Sequence, residues 1–238
     1  MAGDGIYGHW GRLAGSAYAC RPPYLSSGRS FARRSEYGVS KTKPVEMLLE
    51  AYEAGARDFG ENKVQELVQK RPLLPEDARF HMIGHLQTNK VKQVIGQTAL
   101  IHSVDSIHLA EQIEAEAARR DLTVDILLEV NVAKEESKFG FYLEETEEAL
   151  RKIGGFPQVK VRGLMTIAPF VENSEENRPV FKKLYDFYVD MKSKNIDNVT
   201  MSILSMGMTG DYEVAVEEGA TMVRVGTGIF GAREKMGD

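Results

Sequence analysis

The stretch VSKTKPVEMLLEAYEAGARDFGE, residues 39–61, holds one complete structural repeat. Val45, Leu48, Leu49 and Tyr52 recur at i, i+3, i+4 and i+7, which is one face of an amphipathic helix. Pro44 stands in the first turn, where its missing N–H costs nothing, and Gly55 stands where the helix must stop. A short strand follows at 57–61, and residues 35–41 read as the strand before it. Strand, helix, strand at this spacing is a βα unit of a parallel sheet.

The alternation continues along the chain. Further strands are predicted at 79–84, 99–104, 124–131, 160–167, 200–205 and 221–226. Between them lie helices such as that of Phe181, Leu184, Tyr185 and Tyr188, again at i, i+3, i+4 and i+7. The helix near 143–153 opens on Glu144, Glu145, Glu147 and Glu148 and ends on Arg151 and Lys152, complementing its dipole. Eight strands with intervening helices predict an α/β fold, a single (β/α)8 TIM-like barrel, with a doubly wound open sheet as the alternative. The first strand is atypical. Phe31-Ala-Arg-Arg-Ser-Glu-Tyr-Gly-Val39 carries charge where a barrel strand should be buried on both faces.

Composition divides the chain at residue 38. Residues 1–38 hold the only Trp (Trp10), the only Cys (Cys20) and four of the nine Tyr. They carry five Arg, no Lys and two acids, Asp4 and Glu36, so this stretch is +3 and the remainder −8. The expected organisation is an atypical N-terminal segment over 1–38 and a barrel over 39–238. The segment reads as a disordered tail, an organelle transit peptide or an incorrect gene start. With 30 Lys+Arg against 35 Asp+Glu, a net charge of −5 offers nucleic acid no general footprint. No run of about 18 apolar residues exists to span a membrane. A lone cysteine suits a reducing compartment, and a cytoplasmic monomer is expected.

In such a barrel the chemistry collects at the carboxyl ends of the strands, with phosphate commonly bound after strands seven and eight. The turn 39–44 offers Lys41 and Lys43. If the strand runs on to Lys43, period-two alternation points both the same way, and two close ammonium groups favour release of a proton from one. A neutral lysine amine is the nucleophile that condenses with an aldehyde. Spacing alone favours a plainer alternative, two solvated lysines ahead of a helix. Asn62, after strand two, reads equally as a cap for the helix behind it. His81, His85, His102 and His108 read as isolated, structural or exposed residues, and no metal is expected. Residues 205–211 and 223–231 present glycines and hydroxyls whose backbone N–H groups could cradle a phosphate, although taken alone they read more plainly as glycine turns that close the barrel. Gly226, Gly228 and Gly231 spell G-x-G-x-x-G, but only seven residues follow, too few for the second half of a dinucleotide-binding unit.

Taken together, VSKTKP (39–44), FGENKVQE (59–66), HMIGHLQTNK (81–90), EVNVAKEESKFG (129–140), GLMTI (163–167) and LSMGMTGDYEVAVEEGATMVRVGTGIFGAR (204–233) closely resemble the pyridoxal phosphate homeostasis proteins, the YggS/PROSC family. The matches run in the family's order across nearly all of 39–233. The resemblance implies the barrel of the alanine racemase N-terminal domain, the type III fold of pyridoxal-phosphate proteins. It implies pyridoxal 5′-phosphate as cofactor, held as a Schiff base on Lys41. Ser205, Gly226 and Thr227, with backbone amides of Met206 and Gly207, would hold the phosphate. Asn62 would lie near the ring, and Arg224 would approach the pyridine nitrogen. A guanidinium there leaves the ring unprotonated and a weak electron sink.

Two function classes follow from the resemblance. A carrier buffers the cofactor in the cell and hands it to apo-enzymes that depend on it. A racemase of the alanine racemase type needs a second acid/base opposite Lys41. Neither Tyr142 nor Tyr212 stands where such a base could be argued, and the chain ends twelve residues after Gly226, where such racemases continue into a β-domain. The expectation is a non-catalytic binding protein.

Overall fold

The computed structural model describes residues 35–231. Eight parallel strands close into a barrel in chain order: β1 Ser35–Val39, β2 Asp58–Glu61, β3 Arg79–Met82, β4 Leu100–Val104, β5 Val124–Glu129, β6 Val159–Met165, β7 Val199–Met208 and β8 Met222–Val225. Each is followed by a helix: α1 Val45–Glu53, α2 Val64–Lys70, α3 Val91–Val94, α4 Ile107–Arg119, α5 Leu143–Gly154, α6 Arg178–Ser193, α7 Tyr212–Glu217 and α8 Thr227–Phe230. Closure rules out the open-sheet alternative.

The local signals act as expected. Leu48 is fully buried beneath α1, and Gly55 turns the chain away at φ 107°, beyond the reach of most side chains. Ser106 caps α4 by accepting from the Leu109 N–H at 3.2 Å. Phe181, Leu184 and Tyr188 of α6 pack inward against the sheet. These helices bury the main core against the outer face of the barrel. A second, smaller cluster of Leu100, Leu127, Met165 and Met222 fills part of the inside. The rest of the interior is polar, and that polarity marks the site.

The first strand corrects the predicted boundary. Residues 35–38, set outside the barrel by composition, belong to it. β1 pairs with β8 through Ser35↔Met222 to Gly38↔Val225 and with β2 through Gly38↔Phe59 and Val39↔Gly60. Backbone ladders on both sides supply what the side-chain pattern lacks, because a closed barrel leaves no edge unpaired. The remainder of the N-terminal segment, residues 1–34, lies outside the described residues. Among the described residues, no helix is long and apolar enough to cross a membrane.

Candidate functional site

β1 ends at Val39 rather than running on through the lysines, so the alternation argument for Lys41 and Lys43 does not hold. The chain turns instead: Lys43 N–H donates to the Ser40 carbonyl at 3.1 Å, and Thr42 adopts a left-handed φ of 62°. The two lysines then part in role. Lys43 Nζ donates to the Gly231 carbonyl at 3.2 Å, tying this turn to the end of α8. Lys41 sits half-buried at the apex of the turn.

A buried network holds both flanks of Lys41. Ser40 Oγ donates to Glu61 Oε1 at 2.6 Å, and the Thr42 N–H donates to Glu66 Oε2 at 2.7 Å. Lys70 Nζ gathers the network, donating to the Ser40 carbonyl at 2.9 Å, Glu61 at 2.8 Å and Glu66 at 3.0 Å. Burial pushes the Glu61 carboxyl above its ordinary range, against the pull of Lys70 and Ser40. Sequence reasoning missed this clamp, whose members are scattered over β1, β2 and α2.

Asn62 does not cap the helix after it; Lys63 occupies that position, with no side-chain cap. The Asn62 side-chain oxygen is buried without a hydrogen-bond partner. Its backbone is pressed against Gly84, where an added Cβ would overlap the Asn62 carbonyl oxygen and come within 2.7 Å of its Cα. A buried acceptor with no donor is costly unless a ligand supplies one.

The phosphate-like cradle is built by β7, β8 and α8. The N–H groups of Gly226 and Gly228 converge on Thr209 Oγ1 at 3.3 and 3.4 Å, long bonds to a neutral oxygen. The turn that carries Thr209 is braced by Asp211, which accepts from the Met208 N–H at 2.7 Å and from Asn177 Nδ2 at 2.8 Å. Gly207 lies at φ 91° with its Cα against α7, where a Cβ would stand 2.6 Å from that of Ala215, so only glycine fits. Gly226 packs on Val39, two residues before Lys41, which sets the cradle beside the lysine turn. Thr227 is exposed at the start of α8, and Met206 is fully buried in β7.

Ser205 and Arg224 lie deeper. The register slips between Ser205↔Met222 and Met208↔Arg224, three residues of β7 against two of β8. Arg224, two residues after the interior Met222, faces inward by strand alternation, and Ser205 pairs with Met222 there. Arg224, 3% exposed, donates from Nη1 to Ser205 Oγ at 2.6 Å and from Nη2 to the Thr166 carbonyl at 2.7 Å. Burial lowers its pKa to about 10, so it stays charged at neutral pH. Ser205 Oγ also meets His102 Nδ1 at 3.2 Å, and is thereby engaged inside the barrel instead of on the cradle. The histidines predicted to be isolated are joined: His102 Nε2 lies 3.0 Å from His81 Nδ1, and His81 Nε2 lies 3.1 Å from Asp58 Oδ1.

Glu129, at the carboxyl end of β5, is the other residue the sequence did not single out. Burial raises its carboxyl pKa to about 7, with Asp105 adding to the rise and Arg224 opposing it. Its folded-state pKa exceeds the unfolded one, so the stability it contributes is fully present below the ordinary carboxylate range. That stability is lost as pH rises through about 7. The loss amounts to up to roughly 3 kcal/mol. Glu129→Gln, neutral throughout, is expected to flatten this part of the profile in denaturant unfolding between pH 5 and 8.5. Superimposable profiles for variant and wild type would contradict the assignment.

The arrangement thus offers an amine on a clamped turn, an anion cradle beside it, a buried cation and an unsatisfied acceptor. The model of the alanine racemase N-terminal domain family matches residues 36–234. A pyridoxal phosphate homeostasis protein of Aquifex aeolicus is 46% identical over 198 residues, covering 83% of this chain and 86% of that protein. PipY of Synechococcus elongatus, in its structure with PLP bound, superposes with a TM-score of 0.79 at 34% identity, covering 94% of this chain and all of PipY. An alanine racemase of Clostridium difficile 630 shares the fold alone, at 14% identity and a TM-score of 0.67 over 87% of this chain and 54% of the racemase.

Proposed function

We infer, from the premise that this chain belongs to the pyridoxal phosphate homeostasis family built on the alanine racemase N-terminal domain, that it binds pyridoxal 5′-phosphate reversibly and serves as a carrier and buffer for it. The observation that carries this reading is the pair of N–H groups converging on Thr209 Oγ1 beside the Lys41 turn. Two donors aimed at one oxygen form a nest suited to an anion, and a phosphate oxygen would accept more strongly than a hydroxyl.

When bound, the cofactor supplies an aldehyde that condenses with an amine and a ring that withdraws electrons from it. Lys41 is the amine, held by the clamp on Ser40 and Thr42. Gly226, Thr227 and Gly228 would hold the phosphate, with Met206 and Gly207 shaping the loop that carries Thr209. Asn62, with its buried oxygen unsatisfied, would meet the ring. Arg224, charged and fixed by two hydrogen bonds, would leave the ring nitrogen unprotonated. That last property favours storage over Cα chemistry.

Glu129 is the one observation favouring a second reading, an amino-acid racemase. A carboxyl with a pKa of about 7 can exchange a proton at neutral pH. Cofactor-loaded protein incubated with L-alanine or L-serine in deuterated water separates the two. The carrier is expected to show no Cα exchange and no D-isomer, and to reactivate an apo-enzyme that requires the cofactor. Exchange at enzymatic turnover, lost in both Lys41→Ala and Glu129→Gln, would establish the racemase instead.

A further inference from the structure

One continuous chain of hydrogen bonds runs through the polar interior of the barrel. Arg79 Nε donates to Asp58 Oδ1 at 2.6 Å at the amino ends of β2 and β3. From Asp58 the contacts pass to His81 at 3.1 Å, His102 at 3.0 Å, Ser205 at 3.2 Å and Arg224 at 2.6 Å. Five hydrogen bonds in series therefore connect Arg79 at the amino-end rim of the barrel to the cation beside the proposed cofactor ring.

Every proton in this chain is placed by its ends. Burial pushes the Asp58 carboxyl up, but the bonds from Arg79 and His81 outweigh it and keep the group ionised, hence an acceptor only. The ring facing it must then donate from His81 Nε2. Burial disfavours the charged form of both histidines, so each has one N–H. His81 Nδ1 is consequently an acceptor, His102 Nε2 carries the proton between the rings, and His102 Nδ1 is an acceptor in turn. The Ser205 hydroxyl must donate to it, leaving its lone pairs for Arg224. The opposite polarity would set His81 Nε2 and Asp58 Oδ1 face to face as two acceptors.

We propose that Asp58, His81 and His102 are positioning residues that form a one-way donor relay, committing the Ser205 proton away from the phosphate cradle and fixing Arg224 for the ring nitrogen. The placement of Arg224 opposite a cofactor rests on the function proposed above; the relay itself does not. Ser205 then acts on the cofactor through Arg224. Its hydroxyl proton is not available to a phosphate, a departure from the role that family resemblance implies for it.

The test begins without cofactor. In apo-protein labelled with ¹⁵N-histidine, His81 and His102 are both expected as the neutral Nε2–H tautomer at pH 7. A protonated Nδ1 on either would overturn the proposal. Asp58→Asn, which removes the fixed acceptor, is expected to shift the nitrogen resonances of His102 although the two residues do not touch. Unchanged His102 resonances would also overturn it. With pyridoxal 5′-phosphate as the probe, His102→Leu is expected to weaken retention about tenfold, the usual consequence of leaving a buried hydroxyl without its acceptor. His102→Gln can accept from Ser205 and donate to His81, and is expected to restore most of that loss at similar melting temperature. Equal retention by the two variants would exclude a positioning role. If wild type binds no cofactor while both tautomers are as stated, the function proposed above fails and the relay stands.

Discussion

Lys41→Ala is expected to abolish all cofactor trappable by borohydride. Only an amine on the clamped turn can condense with the aldehyde, and Lys43 is already turned toward the Gly231 carbonyl at 3.2 Å. Non-covalent binding should persist in the variant, because the donors at Gly226 and Gly228 are backbone N–H groups carried by β8 and α8. Charge-assisted hydrogen bonds of that kind contribute roughly 1.5–3 kcal/mol each. Reduction followed by peptide mapping checks the assignment directly. An adduct recovered on Lys43 from wild-type protein would transfer the role to that residue, and with it the meaning of the clamp.

Lys70→Met should produce the largest loss of stability among the site residues. Lys70 is 7% exposed, and among the described residues it is the one cation bonded to Glu61, whose side chain is fully buried. Removing one partner of a buried pair strands the other, at a cost of about 3–5 kcal/mol. Replacing both, with Lys70→Met and Glu61→Leu together, should recover most of that loss, since an apolar pair of similar volume carries no desolvation penalty. The single variant should also suffer less at low pH. Glu61 already has a raised pKa, and protonation removes the uncompensated charge. Denaturant unfolding of the single and double variants measures this, and a double variant no more stable than the single one would show that Glu61 does not depend on Lys70. Both variants free the Ser40 carbonyl from Lys70, so Schiff-base formation should slow in each.

What the sequence disclosed follows the range of the interactions. Helix α1 was legible because Val45, Leu48, Leu49 and Tyr52 lie within eight residues, and 3.6-residue spacing is a local signal. β1 is expected at 35–41 despite its charged pattern and ends at Val39; what the pattern could not report is its ladder, which comes from β2 and from β8 at the far end of the chain. Lys41 was singled out by its motif rather than by alternation, which a turn at Thr42 interrupts. The clamp on it draws on Glu61 and Lys70, 21 and 30 residues from Ser40, a distance no periodicity reports. His81 and His102 read as isolated for the same reason. They meet because β3 and β4 are neighbours in the barrel, and neighbouring strands align residues that share no sequence pattern. Asn62 had two readings, cap or ligand, and only the position of Lys63 at the helix start removed the first.

The hydroxyl of Thr209 gives the cradle a tenant of its own. A nest of N–H groups left bare would spread apart or fill with water, and rebuilding it would slow each new arrival. With the threonine oxygen at 3.3 and 3.4 Å the loop keeps its shape between visits. Arrival of a phosphate becomes the exchange of one oxygen for a better one, and departure the reverse. The hydroxyl competes at every encounter, which shortens the stay of whatever it displaces and returns the site ready-formed. For a carrier of the kind proposed above, a seat that is never quite vacated would set how long each cofactor stays.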